Sequence, residues 1–316
     1  MTEGLKLSIY QLQDIFKHLG EVELLLAKLS CKEWDTSSRR PKVSCYDVLF
    51  YGASKGNKDL CVLAKKWGAN DWNWMLSDAS KGGHKEICIL AKKWGEESGI
   101  EMDWNLMLSS AACGGNKELC ELAKKWGEES GTKMNWNWNW MLYRASKGGH
   151  KDICILAKKW GAKDWNGMLY NASCGGNKEI CELAKKWGAD AWYAMLRDAS
   201  QYGNEELCIL AKKWGEESGT TMDWNMMLSY ASSGGHKEIC ILAKEWGANN
   251  WNGMLRDASY GGYKELCLLA KKWGEESGTE MDWEQMYRWA SSGGNKEICD
   301  LALEWGATEL NPTQMK

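Results

Sequence analysis

The chain has 316 residues, with 40 Lys+Arg against 43 Asp+Glu and a formal net charge of -3. That length is long for one globular core and suits two domains or a repeat array, while the charge balance speaks against a general binder of nucleic acid or anionic membrane, which carries a basic surplus. No apolar run reaches the length of a membrane span, and residues 1–4 show no basic segment leading into an apolar stretch, so neither a transmembrane helix nor a secretory leader is expected. The 22 Trp against two Phe and two Pro are the skew of one unit copied many times.

Residues 1–44 do not fit the copied unit. Leu7, Leu12, Ile15, Phe16 and Leu19 are followed by Leu24-Leu25 and then by Cys31-Lys32-Glu33-Trp34. A short helical module this rich in leucine buries little apolar surface alone and needs a partner, or the first repeat, to cover it. The pattern resembles an F-box at Leu7, Leu12, Ile15, Phe16, Leu19, Leu24, Leu25, Cys31, Lys32 and Trp34, with Ser8 where the F-box usually has Pro. The resemblance implies docking to the Skp linker subunit of a cullin–RING ubiquitin ligase, the rest of the chain recruiting a substrate. The competing reading is a helical cap that seals the end of the array.

Residues 45–307 read as nine repeats, each closing on Ala-Lys-Lys-Trp-Gly or a near variant, at Trp67, Trp94, Trp126, Trp160, Trp187, Trp214, Trp246, Trp273 and Trp305. Short units are spaced by 27 residues, as from Trp67 to Trp94, and long units by 32, as from Trp94 to Trp126. In the unit 164–189, Trp165, Met168, Leu169 and Ala172 share one helical face, and Ile180, Leu183, Ala184 and Trp187 share a second. Asp164 is placed to cap the first helix and Asn177 the second, Gly175-Gly176 break the chain between them, and Gly188 is placed at the C′ position. One such pair cannot bury its apolar face alone, whereas stacked neighbours can.

The stretch from Met141 to Ala162 resembles the ankyrin pattern of helix, Gly-His, helix and Gly-Ala. It lacks the Thr-Pro-Leu-His opening, and the short units lack the residues from which an ankyrin repeat builds its β-hairpin finger. The resemblance implies an all-α, ankyrin-like helical solenoid with a C-terminal tail at 308–316. The long units keep a loop, such as 215–228, open to a finger or a simple excursion. An F-box joined to such repeats is similar to proteins that large DNA viruses encode in multiple copies, which implies action in a host cell.

Nine of the 13 Cys stand six residues before the repeat Trp, beside the apolar stripe. Core thiols in a reducing compartment, cytoplasm or nucleus, are the expectation. No Cys-x-x-Cys or His/Cys ligand spacing occurs, so no metal is expected. His84, His150 and His236 share a repeat position with five Asn and with Tyr263, an exchange that a helix or turn residue tolerates and a general base does not. The Trp columns fall on the core stripe, the Lys-Lys pairs at helix C-termini are expected to be solvated, and no nucleophile, paired-carboxylate or phosphate-loop constellation appears. Neither catalysis nor a cofactor is expected, and the expected activity is binding of a target protein.

Positions that differ between otherwise similar copies are free of packing work. They cluster late in the first helices: Tyr143 and Arg144, Tyr170 and Asn171, Arg197 and Asp198, Tyr230, Arg256 and Asp257, Arg288 and Trp289. Tyr, Trp and Arg are the residues enriched at interface hot spots, so this row, with the four Glu-Glu-Ser-Gly loops, is the expected partner-binding surface.

Overall fold

The computed structural model describes residues 44–131 and 136–308. The F-box-like residues Leu7, Leu12, Ile15, Phe16, Leu19, Leu24, Leu25 and Trp34 lie outside the described residues, as do residues 309–316. Among the described residues there are eighteen helices in nine consecutive pairs and no strand. The chain divides into two units, residues 1–145 and 146–316. The first holds α1 (Cys45–Ser54), α2 (Lys58–Lys66), α3 (Trp72–Gly82), α4 (Lys85–Glu97), α5 (Trp104–Cys113), α6 (Lys117–Glu129) and most of α7 (Trp138–Gly148). The second continues with α8 (Lys151–Trp160), α9 (Trp165–Cys174), α10 (Lys178–Trp187), α11 (Trp192–Gln201), α12 (Glu205–Ser218), α13 (Trp224–Gly234), α14 (Lys237–Glu245), α15 (Trp251–Gly261), α16 (Lys264–Ser277), α17 (Trp283–Ser292) and α18 (Lys296–Trp305). Odd-numbered helices open a repeat and even-numbered helices close it.

The first helices start as the sequence indicates. Asp71, Asp103, Asp164, Asp223 and Asp282 each accept the amide three residues on, at 2.8–3.1 Å, which satisfies one orphan donor of the helix. Met-Leu and the following Ala then face inward: Met75, Leu76, Ala79 and their counterparts are fully buried.

The residue after the repeat Gly decides how the second helix ends. Where Ala follows, the helix stops at the Trp, Gly takes a positive φ, and the Ala amide reaches back five residues, as Ala189 does to Ala184 at 2.9 Å. The Ala side chain is buried by this turn, the apolar contact of a Schellman cap. Where Glu-Glu follows, the helix runs on for another turn, held by i,i+4 pairs such as Lys92–Glu96 and Lys124–Glu128. The chain then returns through a Met that packs on the helical Gly, Met222 on Gly215 and Met281 on Gly274. The Glu-Glu-Ser segments read as loops are therefore helix, and no finger forms among the described residues.

The Asn/His column departs from the capping role expected for Asn177. Only Asn57, in the first described repeat, caps its own helix, accepting from Leu60 at 3.1 Å. In His84, Asn116, Asn177, Asn204, His236 and Asn295 the side chain reaches back to the preceding repeat, to carbonyls at the end of its first helix. Asn177 donates to Ser146 and Lys147 at 3.0 and 2.8 Å, Asn116 to Ser80 and Lys81 at 3.0 and 3.1 Å, and Asn295 to Ser259 and Tyr260 at 3.0 and 2.8 Å. His84 and His236 place Nε2 at 3.0 and 3.1 Å from the carbonyls of Ser54 and Gln201. Those carbonyls are orphan acceptors of a helix end. Asn and the Nε2–H tautomer of His both supply the required donor, which accounts for their exchange. The fit demands glycine: a Cβ on Gly83 would stand 2.5 Å from the Asn116 side chain, and one on Gly114 would overlap the Lys81 carbonyl.

The buried Cys column pairs with a buried Ser on the first helix: Ser200 Oγ donates to the Leu196 carbonyl at 2.6 Å and stands 3.5 Å from Cys208 Sγ. Burial pushes these thiols up to about 11. Cys120, where Ala112 replaces the Ser and Glu121 is near, is pushed up by burial to about 12. Cys299, in the last repeat, is only half-buried.

Two outcomes follow from this packing. Asn116→His should leave the urea midpoint nearly unchanged, whereas Asn116→Asp loses the donor and should cost about 1–3 kcal/mol. Eight thiols from Cys61 to Cys267 keep their protons in the folded chain well above 9.0, where the unfolded chain has begun to lose them. The unfolded state then binds fewer protons, so stability should be flat below pH 9 and fall as pH rises from 9 to 11. Tm measured across that range checks it.

Candidate functional site

Two surfaces compete for a functional reading, the tryptophan columns and the outer face of the first helices. Within a repeat the two column indoles pack together: Trp72–Trp94 and Trp165–Trp187 meet edge to face at 5.1 Å, and Trp251–Trp273 are tilted at 5.3 Å. The lysine two residues before the preceding repeat's Trp lies over them. Lys65 sits 4.5 Å from the Trp94 ring, Lys158 4.2 Å from Trp187, Lys244 4.6 Å from Trp273 and Lys271 4.4 Å from Trp305. Lys65, Lys185 and Lys244 also reach Glu97, Glu217 and Glu276 of the next repeat. These lysines are not the freely solvated C-terminal charges that the sequence suggests. Each is a cation–π link of about 0.5–2 kcal/mol between neighbouring repeats. The second lysine of each pair is exposed, and the first is half-buried except at Lys158, which is exposed as well. These indole faces are thus occupied by the protein itself, and the columns serve cohesion, while Trp67 in the first described repeat is exposed.

In the first unit the outer face is aromatic. Trp74 and Trp140 are 54% and 47% exposed. Phe50 lies 6.5 Å from the Trp74 ring. Trp140 donates its indole N–H to Ser109 Oγ at 3.0 Å, Arg144 lies 4.9 Å over its ring, and Tyr143 meets it edge-on at 6.3 Å. Asn105, Leu108, Ser109, Asn137, Trp140 and Met141 line a surface pocket of 330 Å³. Tyr143 and Arg144 thus adjoin a pocket, while Trp74 and Trp140 were hidden by the core reading of Trp. Their helix position carries Trp, Leu, Gly, Ala, Met or Gln in different copies, which marks it as free of packing.

In the second unit Arg197 makes two hydrogen bonds to Asp198, Nε to Oδ1 at 2.9 Å and Nη2 to Oδ2 at 3.3 Å. Arg256 repeats this with Asp257 at 2.7 and 3.2 Å, and Ser229 donates to the same carboxylate. Asp198 is buried, and desolvation holds its carboxyl above the usual range against the opposing pull of Arg197. Of the two residues read as a pair at each position, Arg faces outward and Asp supports it. Tyr170 and Tyr230 are exposed, with Arg197 5.9 Å over the Tyr170 ring. Asn171 is turned onto its own helix, donating to the Gly167 carbonyl at 2.9 Å. Arg288 and Trp289 are both exposed, and Trp289 meets Tyr260 edge-on at 5.9 Å.

The repeat α11–α12 is irregular. Tyr202 stands where seven other copies have Gly, the first described repeat carrying Lys55. Asn204 accordingly reaches only the Ser173 carbonyl, at 3.4 Å. Tyr202 and Tyr170 both contact Cys174, whose thiol is raised by burial and by the Asp198 charge.

Among the described residues no group of three or more His, Cys, Asp or Glu side chains converges as a metal ion would require, and no helix is long and apolar enough to cross a membrane. The architecture is that of a helix-turn-helix repeat protein. No protein-family model matches the chain, and no curated protein matches it. Among solved structures, it resembles the crystal structure of the human ASB11 ankyrin repeat domain, with 19% identity over 65% of this chain and 98% of that one and a TM-score of 0.42.

Truncation should separate the two classes of indole. Trp251→Ala removes a ring that is 4% exposed and should cost about 3–5 kcal/mol. Trp74→Ala should cost about 1 kcal/mol or less, since its ring is largely solvated. Denaturation monitored by far-UV circular dichroism reads both.

Proposed function

We propose that the chain is a protein-binding adaptor whose repeats capture a target through the outer face of the first helices. The observation that carries this reading is the exposed row of Tyr, Trp and Arg on the first helices. Hot spots are built from these three residue types. Arg197 and Arg256 are held in place by their Asp neighbours, so binding loses little of their rotamer freedom. The free cysteines fit a reducing compartment, cytoplasm or nucleus.

The F-box-like residues 7–34 extend the reading to a substrate receptor of a Skp–cullin–F-box ubiquitin ligase. The pattern of Leu7, Leu12, Ile15, Phe16, Leu19, Leu24, Leu25 and Trp34 supports that step. Purified Skp subunit should be captured by the full chain and lost on Leu12→Ala/Phe16→Ala. Failure of the unaltered chain to capture it leaves a repeat scaffold, or a decoy, with a helical cap. Charge reversal at Arg197, Arg256 and Arg288 together should weaken capture of the target from lysate without changing the circular dichroism spectrum. Unchanged capture moves the binding face elsewhere.

A further inference from the structure

We infer that the first-helix face of the second unit recognises an extended, acidic segment of its protein partner, with partner carboxylates seated on Arg197, Arg256 and Arg288. This rests on the target-binding reading above and names the chemistry of the target. A guanidinium offers five N–H donors. Arg197 and Arg256 each spend two on the adjacent aspartate, which leaves three directed away from it. The arrangement is asymmetric. Asp198 is buried and Asp257 nearly so, while the arginine side chains are 36% and 40% exposed. Solvent therefore meets the donors and not the acceptors.

The remainder of the face has the same character. From α9 to α17, the five residues that follow each Met-Leu or Met-Tyr pair contain no acidic residue except Asp198 and Asp257. Arg288 adds an exposed cation, with the Glu284 carboxylate one turn before it on the same helix and within reach of its charge. Tyr230, Tyr260 and Trp289 lie exposed on the same helices and supply amphipathic contact area. The second helices of this unit differ. There Lys151–Glu179, Lys178–Glu206, Lys237–Glu265 and Lys264–Glu297 cancel their charges in pairs between repeats. The second helices keep exposed lysines at Lys159 and Lys186, so what sets the first-helix face apart is the pairing of an outward guanidinium with a withdrawn carboxylate.

The arginines also define a register. Arg197, Arg256 and Arg288 occupy one helix position in repeats that are two apart and then one apart, with Ser229 at the repeat between. Packed helices stand about 8–10 Å apart, so an extended chain, at roughly 3.3 Å per residue, advances about three residues per repeat. Carboxylates spaced by about six and then three residues match this row. Lys185, Lys244 and Lys271 add nothing to this face, since they lie half-buried over indoles on the second helices.

The test is selection of a displayed library of random 15-residue peptides against the full chain. Selected peptides should be enriched in Asp and Glu. The best of them should lose about tenfold in affinity, the worth of one charge-assisted hydrogen bond, when its acidic residues become Asn or Gln. A comparable loss is expected for the Arg197→Gln/Arg256→Gln/Arg288→Gln chain. A second variant that adds Asp198→Asn and Asp257→Asn removes the unpaired buried charges and should bind as weakly, with an unchanged circular dichroism spectrum. Selection without acidic bias, full affinity in both variants, or no selected peptide at all overturns the proposal. So does single-stranded RNA of 12 nucleotides binding with the same arginine dependence, which would assign the face to phosphate. If capture of the target is lost on Tyr230→Ala/Trp289→Ala but kept in both arginine variants, the face binds protein and only the acidic chemistry fails. If neither set affects capture, the target-binding reading fails as well.

Discussion

The junction between consecutive repeats is the contact on which everything else in this protein depends. A helix pair of this size has an apolar stripe it cannot cover, and the next pair covers it. The junction is made in three places. A side-chain N–H from the Asn/His column reaches the orphan carbonyls of the preceding first helix, as Asn177 does to Ser146 and Lys147. Glycine at the turn lets the two backbones approach closely enough for that bond, as Gly114 does against Lys81. On the second helices a lysine lies across the next repeat's paired indoles. None of these contacts is large alone, and their recurrence gives the array its cohesion.

That cohesion leaves the outer positions of the first helices free to vary. The Met-Leu-Ala positions, the Cys and Ser columns, the indoles and the first lysines are all committed, and each recurs with little change. The outer first-helix positions are not, and there the copies carry Trp, Tyr, Arg, Asn, Ser or Asp. A scaffold of this kind separates stability from recognition. Substitution at Trp140 or Arg256 alters what the surface presents, while substitution at Asn116 or Trp251 alters whether adjacent repeats hold together. The repeat at α11–α12 shows the price of mixing the two: Tyr202 adds an exposed ring, and the Asn204 staple stretches to 3.4 Å.

Charge follows the same division. Lysines and glutamates on the second helices pair across repeats at the surface, where each pair is worth little alone. Their main effect is to neutralise that side of the molecule. Arg197 and Arg256 are held instead by neighbouring aspartates that are themselves withdrawn from solvent. A chain with a net charge of -3 can therefore present a face rich in outward donors, which the bulk charge conceals.

The repeat number, the helix pairs, the Asp caps and the buried Met-Leu-Ala stripe were legible in the sequence, because each is set by local periodicity or by a residue's own backbone preference. Asn and His exchanging at one position were legible as structural for the same reason. What that side chain does was not, because its acceptors lie 30 to 36 residues away in the chain, and only packing brings them within reach. The Glu-Glu-Ser segments looked like loops because Gly usually ends a helix. Contacts from the lysine one turn back and from a returning Met kept them helical. Trp74 and Trp140 carry the same letter as the core indoles, and only tertiary structure distinguishes a ring with neighbours on both faces from one open to solvent.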